Sequence, residues 1–263
     1  MSNSLRVAIA GLGTVGAGTV QVLTEHRALI AQRGGRNVDI VAVSAKNRSK
    51  DRGVSLDGYE WYDDPVAMAR EADVDLVLEL IGGEDGPAKA VCEAAIAAGR
   101  HVVTANKALL AMHGNALATA AEAAGVSLNY EAAIAGGIPI VKALREGLAG
   151  NRVTRVYGIL NGTCNYILTE MREERLSYET VLADAQKLGY AEAEPSVDVD
   201  GIDAAHKLAL LASLAFGTKV NFEGVYTEGI RKVALEDIDY AEEFGYRIKL
   251  LGSARMTDHG LEQ

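Results

Sequence analysis

The stretch that decides the fold reads LRVAIAGLGTVGAGTV and occupies residues 5–20. A short apolar run is followed at once by three glycines and then by a helical pattern, which predicts a strand, a tight turn and a helix. Gly11 permits the turn, Gly13 lets a pyrophosphate approach the backbone, and Gly16 lets the helix pack closely on the strand. A second apolar run at residues 38–44 follows at the spacing of a βαβ unit.

This context favours a dinucleotide-binding loop over the alternative of a purely structural glycine turn. The predicted phosphate loop comprises Gly11, Leu12, Gly13, Thr14, Val15 and Gly16.

The residues after the second strand decide which dinucleotide is favoured. A carboxylate at that strand tip would bond the ribose 2′-hydroxyl of NAD, whereas cations accommodate the 2′-phosphate of NADP. The tip carries Ser44, Lys46 and Arg48 and no acid, although Asp51 follows closely. We therefore expect NADP to be preferred and NAD to be the second choice. The alternative is a solvated basic loop without a ligand.

Three further strands are predicted before residue 131, and two of them end in candidate site residues. Gly82 follows the third strand, and Lys107 follows the fourth. Because parallel strands present their carboxyl ends at one edge of a sheet, both residues are expected to line the cofactor crevice. The fold class is therefore α/β, with a Rossmann-type doubly wound parallel sheet over residues 1–130.

A glycine-rich joint at residues 131–139 marks the predicted domain boundary, and residues 131–263 are expected to form a second α+β domain. From about Asp200 the sequence is helical, and Asp203 and Lys207 continue an apolar stripe on that helix. A partly desolvated lysine one turn after an aspartate is suited to proton chemistry. The alternative is an ordinary surface ion pair.

Composition restricts the class of partner. The 263 residues carry a formal net charge of −10, which argues against nucleic acid or an anionic membrane and favours a small-molecule ligand. Cys92 and Cys164 lack metal-ligand spacing and are expected to be buried thiols in a reducing compartment. No run of eighteen apolar residues and no signal peptide is evident, so a cytoplasmic location is expected.

Five motifs occur in a fixed order: GLGTVG, TANKALLA, NYEAAIAGGIPI, GILNGTCNYILT and GYAEAEPSVDVDGIDAAHK. With them the chain closely resembles the homoserine dehydrogenase family over nearly its whole length. The resemblance implies NAD(P)-dependent interconversion of L-homoserine and L-aspartate 4-semialdehyde, on the branch to threonine, methionine and isoleucine.

The resemblance also implies roles for individual residues. Lys207 matches the acid/base lysine and Asp203 its carboxylate partner. Glu192 and Asp198 match groups that bind the ammonium and hydroxyl of the substrate. Lys107 matches a second active-site lysine that touches both nicotinamide and substrate.

Further expectations come from the same resemblance. Gly189 lies where the backbone meets the cofactor, and a monovalent cation such as Na+ is expected at Glu131, Ile134, Gly136 and Ile138. The resemblance also implies a homodimer, with residues 131–263 as the substrate-binding, catalytic and dimerisation domain. Because family members usually continue well past a position like Gln263, the second domain is expected to be truncated. The remaining alternatives are a truncated nucleotide-binding protein without turnover and another Rossmann-type reductase, such as a dihydrodipicolinate reductase type.

Overall fold

The computed structural model describes residues 4–263, and the chain divides into two compact units, Met1–Gly137 and Ile138–Gln263. The domain division expected after residue 130 lies a few residues before this one. The functions expected of the two domains stay predictions.

The first unit contains a six-stranded sheet in which every described pairing is parallel. Its strands are β1 (Leu5–Ala10), β2 (Val38–Ser44), β3 (Glu60–Tyr62), β4 (Leu76–Glu79), β5 (His101–Thr104) and β6 (Leu128–Asn129). The spatial order β3-β2-β1-β4-β5-β6 is the doubly wound arrangement, so the predicted fold class is confirmed for this unit. The order reverses between β1 and β4, and dinucleotides bind above such a reversal.

The helices of the first unit are α1 (Thr14–Glu25), α2 (Arg27–Gly34), α3 (Pro65–Glu71), α4 (Pro87–Ala97), α5 (Lys107–Ala124) and α6 (Ala132–Ala135). Side chains alternate along β1 between two cores, since successive residues of a strand point to opposite faces. Ala8 and Ala10 contribute to the core that includes α3, α4 and α5. Val7 and Ile9 contribute to the core beneath α1. Small side chains on one face let those three helices pack close to the sheet.

The second unit joins helices to a three-stranded antiparallel sheet of order β7-β8-β9, as expected for an α+β domain. Its strands are β7 (Arg155–Gly158), β8 (Gly252–Thr257) and β9 (Gly260–Glu262). Its helices are α7 (Ile140–Lys142), which continues into a π-helical turn at Ala143–Gly147, α8 (Gly162–Glu174), α9 (Tyr178–Lys187), α10 (Ser196–Val199), α11 (Ile202–Phe216) and α12 (Leu235–Glu243).

Helix α11 is the centre of the second unit. Nine of its fifteen residues are buried, as its apolar stripe and alanine-rich opposite face predict. The sequence between Gly224 and Gly229 predicts a further strand, but this prediction is wrong, because the segment is irregular. A side chain at Gly229 would place its Cβ 2.2 Å from the Val199 carbonyl oxygen, and the Ile230 N–H donates to that oxygen at 2.8 Å, so the backbone here is hydrogen-bonded to the end of α10.

Residues 4–263 include no helix that combines the length and the apolar character needed to cross a lipid bilayer.

The close packing of α1 on β1 can be tested at Gly16. An added Cβ would lie 2.0 Å from the Gly11 carbonyl oxygen, which is backbone and cannot move aside cheaply. We expect Gly16→Ala to lower the free energy of unfolding by about 3 kcal/mol, at the upper end for overpacking. Urea denaturation of the chain measures this.

The matched control is Gly18→Ala in the same helix, where an added Cβ meets nothing within 4 Å. This substitution should be neutral or slightly stabilising, because alanine restricts the unfolded chain more than glycine does. Equal stability of the two variants would contradict the proposed close approach at Gly16.

Candidate functional site

The glycine loop has the shape of a phosphate-binding turn. Gly11 adopts a φ of +99°, and a Cβ there would lie 2.5 Å from the Leu80 carbonyl oxygen. Around the Cβ position of Gly13, in contrast, there is open space to 4 Å. Gly13 also precedes α1 without a capping side chain, so the first N–H groups of the helix are available to an anion. The loop therefore fits a pyrophosphate.

The residues predicted to bind the 2′-phosphate, at and after the end of β2, lie in two different environments. Ser44 is 1% exposed, and its hydroxyl has no hydrogen-bond partner within the described part of the chain. Lys46 and Arg48 are exposed, and the Arg48 guanidinium lies 5.7 Å from the centroid of the Trp61 ring. The two cations are thus accessible to a ligand, and the Arg48 head is oriented by an aromatic face.

Arg52 is a candidate cofactor residue that the sequence did not single out. Its Nε donates to the carbonyl oxygen of Leu12 in the glycine loop at 3.1 Å, and its guanidinium also lies 5.7 Å from the Trp61 centroid. Two more of its nitrogens donate to the carbonyl oxygens of Asn47 and Lys50. Arg52 therefore connects the basic segment after β2 to the glycine loop by hydrogen bonds. Its membership of the same basic run was the only sequence signal.

Gly82 and Lys107 lie at the carboxyl ends of neighbouring strands, as predicted. Gly82 has a φ of +87°, and its N–H donates to the Glu79 carboxylate at 3.2 Å. Lys107 is the first residue of α5, whose N-cap is Asn106. The Asn106 side chain accepts from the Leu109 N–H at 3.1 Å. These contacts fix the start of the helix that carries Lys107.

In the second unit, the predicted acid/base pair is formed and mostly buried. The Lys207 Nζ lies 2.7 Å from Asp203 Oδ2 and donates to the Leu160 carbonyl oxygen at 2.9 Å. The side chains of Lys207 and Asp203 are 22% and 8% exposed. The pair therefore belongs to the interior of the unit, and the description as an ordinary surface ion pair does not apply to it.

Asn161 connects this pair to Asp198. Its Nδ2 donates to Asp198 Oδ1 at 2.8 Å and to Asp203 Oδ2 at 2.9 Å. Its Oδ1 accepts from the Cys164 N–H at 2.8 Å, so the amide cannot rotate without losing the N-cap of α8. An asparagine directly before a helical pattern predicts an N-cap at Asn161, but spacing along the chain does not predict the bridge, since the bridge joins residues far apart in the chain.

Glu192 and Gly189 lie in the segment before α10. Glu192 is exposed and is not part of the hydrogen-bond network around Asn161, although its backbone oxygen accepts from Gln186 Nε2 at 2.9 Å. Gly189 has a φ of +77°, a conformation that suits glycine. The predicted roles of both residues stay predictions.

The two cysteines are free and buried, as expected. The Cys164 thiol donates to the Asp198 carbonyl oxygen at 3.1 Å. Burial and the nearby carboxylates of Asp198 and Asp203 raise the pKa of this thiol to about 12. Burial, with the charge of Glu79 next in importance, raises the pKa of Cys92 well above its ordinary value. Both thiols are therefore protonated and unreactive near neutral pH.

The residues expected to hold a monovalent cation lie around α6. The Glu131 carbonyl oxygen accepts from the N–H groups of Ile134 and Ala135 at 3.0 and 3.1 Å. Gly136 ends α6 in the first unit, and Ile138 begins the second. Within residues 4–263 no group of three or more His, Cys, Asp or Glu side chains is arranged to hold a metal ion. A site built from backbone oxygens stays a prediction.

Both halves of the chain match models of known protein families. Residues 11–131 match the family model of the NAD-binding domain of homoserine dehydrogenase, and residues 139–262 match the model of homoserine dehydrogenase itself. The homoserine dehydrogenase of Pseudomonas aeruginosa is 49% identical over 98% of this chain and 59% of its own length. That of Neisseria gonorrhoeae is 48% identical over 98% and 59%. The chain thus spans about 59% of the length of these curated relatives.

Solved structures agree with these matches. A homoserine dehydrogenase from Thiobacillus denitrificans has a TM-score of 0.94 and 49% identity, covering 98% of this chain and 59% of that one. An Archaeoglobus fulgidus homologue has a TM-score of 0.84 and 36% identity, covering 98% and 82%. The predicted resemblance is therefore confirmed, and the chain belongs to the homoserine dehydrogenase family.

Proposed function

We propose that this chain carries the cofactor-binding and catalytic parts of a homoserine dehydrogenase. It interconverts L-homoserine and L-aspartate 4-semialdehyde with NAD(P), in the biosynthesis of threonine, methionine and isoleucine. The observation that carries the proposal is the buried Lys207–Asp203 pair, which Asn161 joins to Asp198. By resemblance to the family, Lys207 matches the acid/base lysine and Asp198 matches a carboxylate that binds the substrate.

Lys207 is proposed to move the proton. Its ammonium has three N–H donors, of which two are directed to Asp203 and to the Leu160 carbonyl oxygen. The third can reach a substrate oxygen. In the reducing direction Lys207 gives its proton to the aldehyde oxygen, and in the oxidising direction the neutral amine takes the hydroxyl proton. Asp203 fixes the direction of the lysine side chain.

Carboxylates are proposed to bind the substrate amine. Asp198 uses one oxygen to accept from Asn161, which leaves the second oxygen for an ammonium group. Glu192 supplies a further exposed carboxylate in the same unit. Two anionic groups suit a cationic amino acid, and charge-assisted hydrogen bonds of this kind are among the stronger polar contacts.

The glycine loop is proposed to hold NADP, which supplies or accepts the hydride when bound. The open space at Gly13 and the uncapped start of α1 fit the pyrophosphate. Lys46, Arg48 and Arg52 are proposed to receive the 2′-phosphate, because several cations follow β2 and no acid stands at the tip of this strand. The remaining proposed cofactor residues are Gly82, Lys107 and Gly189, with Lys107 also touching the substrate.

Three further proposals concern the assembled protein. Backbone oxygens of Glu131, Ile134, Gly136 and Ile138 are proposed to bind a monovalent cation such as Na+. A homodimer is proposed because the family resemblance implies one. A cytoplasmic location is proposed because buried free thiols are typical of a reducing compartment.

The proton role is tested by Lys207→Arg, which keeps the charge and the pairing with Asp203 but cannot release a proton near neutral pH. We expect kcat for the oxidation of L-homoserine with NADP+ to fall by about 10²- to 10⁴-fold, the usual contribution of an acid/base group. Initial rates of NADPH formation measure this.

The control is Lys187→Arg, which alters an exposed lysine that pairs with Asp184 on the surface of the same unit. Its rates should equal those of the parent chain. Parent-like turnover in Lys207→Arg would refute the proton role. A parent chain that binds NADPH but shows no turnover would favour the alternative of a nucleotide-binding protein without catalysis.

Cofactor preference is tested by Arg48→Gln. Removing a cation that contacts a phosphate costs about 1.5–3 kcal/mol, so we expect kcat/KM for NADP+ to fall by about 10- to 100-fold. The value for NAD+ should not change, since NAD+ lacks the 2′-phosphate. Arg33→Gln, at an exposed position in α2, is the control. An equal fall for both cofactors would argue against 2′-phosphate recognition.

The bridge is tested by Asn161→Asp, since aspartate also caps helices but cannot donate to Asp198 and Asp203 when ionised. We expect the thermal midpoint to fall, because a third carboxylate would be buried beside Asp198 and Asp203. At a temperature where the variant is folded, kcat/KM for L-homoserine should fall by about 100-fold, on the order of one lost charged hydrogen bond. Asn151→Asp adds the same charge at an exposed position of this unit and should leave both values unchanged. Unchanged kcat/KM in Asn161→Asp would show that the bridge is dispensable.

A further inference from the structure

Glu79 is a fully buried carboxylate that the proposed chemistry does not use. Its exposed fraction is 0%, and a carboxylate removed from water is very costly unless donors surround it. Oε1 accepts from the N–H groups of Ile81 and Gly82 at 2.8 and 3.2 Å. Oε2 accepts from the Thr104 hydroxyl at 2.5 Å. These three donors come from the carboxyl ends of two adjacent strands.

The hydrogen bonds continue from Glu79 into a closed ring. Glu79 and Thr104 are opposite each other in the register of β4 and β5. Thr104 Oγ1 accepts from the Asn106 N–H at 2.9 Å. The Asn106 Nδ2 then donates to the Gly83 carbonyl oxygen at 2.6 Å. The ring therefore joins the turn after β4 to the residue that caps α5.

This ring fixes two segments that carry proposed cofactor residues. Gly82 and Gly83 have φ values of +87° and +88°, so the turn is held in a conformation that few sequences adopt. Lys107 follows Asn106 directly at the start of α5. The amide hydrogens of Ile81 and Gly82 are directed to Glu79, so they are not the groups that this turn offers to a ligand.

The strand order indicates which half of the cofactor this turn would meet. A doubly wound sheet binds one mononucleotide half on each side of the point where its order reverses, which lies here between β1 and β4. The proposed 2′-phosphate residues follow β2, on the β1 side. The other half, which contains nicotinamide, therefore falls on the side of β4 and β5, above the ring.

We propose that Glu79 is a positioning residue for the nicotinamide half of the cofactor. It holds the turn at residues 81–83 and the start of α5 in the conformation that receives nicotinamide, without touching it. The inference rests on the proposed binding of NADP, although not on turnover. A purely structural role would instead affect both halves of the cofactor equally, because the whole sheet would be loosened.

The experiment compares two ligands on the full chain. NADPH contains both halves, whereas adenosine 2′,5′-bisphosphate contains only the adenosine half with its 2′-phosphate. Trp61 is the only tryptophan of the sequence and contacts Arg48 and Arg52, so its fluorescence reports binding of either ligand. For Glu79→Ala we expect the Kd of NADPH to rise at least tenfold and that of the bisphosphate to stay within twofold.

Two further variants make the result specific. Glu79→Gln keeps an oxygen for the N–H groups of Ile81 and Gly82, so it should restore NADPH binding to within about threefold of the parent. Met68→Ala removes a fully buried side chain from α3, in the core of the same unit but outside the ring. At a temperature where it is folded, it should bind both ligands like the parent.

The outcomes separate the two roles. Three results for the Glu79 variants would overturn the proposal. These are equal weakening of the binding of both ligands in Glu79→Ala, no weakening of the binding of either, and failure of Glu79→Gln to restore NADPH binding.

If Glu79→Ala does not fold, Thr104→Val replaces it, because this substitution breaks the ring while the side chain keeps its shape. Thr104→Val should then raise the Kd of NADPH about fivefold and leave the Kd of the bisphosphate unchanged, and any other result overturns the proposal. A parent chain that binds neither ligand overturns this inference and the proposed cofactor together, whereas binding without turnover overturns only the catalytic proposal.

Discussion

The second unit depends on one constraint, which is that the Asp203 carboxylate must find donors after it has been removed from water. Lys207 supplies one donor from the next turn of α11, and Asn161 supplies another from the start of α8. Each donor is held in turn, Lys207 by the Leu160 carbonyl oxygen and Asn161 by the Cys164 N–H. As a result, three segments cannot move independently of one another: the residues just after β7, the cap of α8 and the first turn of α11.

The first unit meets the same constraint at Glu79, with a different set of donors. No side-chain cation is hydrogen-bonded to Glu79 among the described residues, and backbone N–H groups and a threonine hydroxyl satisfy it instead. These short neutral donors leave the Glu79 side chain little freedom to move, since each donor belongs to a strand end or a turn. In the glycine loop, close contacts between backbone atoms set the conformation, because Gly11 and Gly16 have no space for a side chain. Both mechanisms place rigid backbone at the carboxyl edge of the sheet.

The sequence predicted those features that depend on neighbours in the chain. The glycine loop, the cap at Asn161 and the pairing of Asp203 with Lys207 all follow from spacing within one turn or one helix. The bridge from Asn161 to Asp203, the ring around Glu79 and the contact between Arg52 and Leu12 join residues 25 to 42 positions apart. Periodicity carries no information about such contacts. The strand predicted at residues 224–229 is wrong for the same reason, since the contact of this segment with Val199 is also distant in the chain.

The burial of Lys207 and Asp203 supports the proposed chemistry more strongly than it explains stability. Replacing a buried ion pair with apolar residues is often neutral or stabilising by about 1–4 kcal/mol, so folding alone gives little reason to keep one. An apolar pair at these positions would extend the stripe of α11 without requiring Asn161 or the Leu160 carbonyl oxygen. The unit instead holds an ammonium beside a carboxylate, partly accessible and with one donor unused by those two contacts. That arrangement is what a group needs if it is to exchange a proton with a bound substrate.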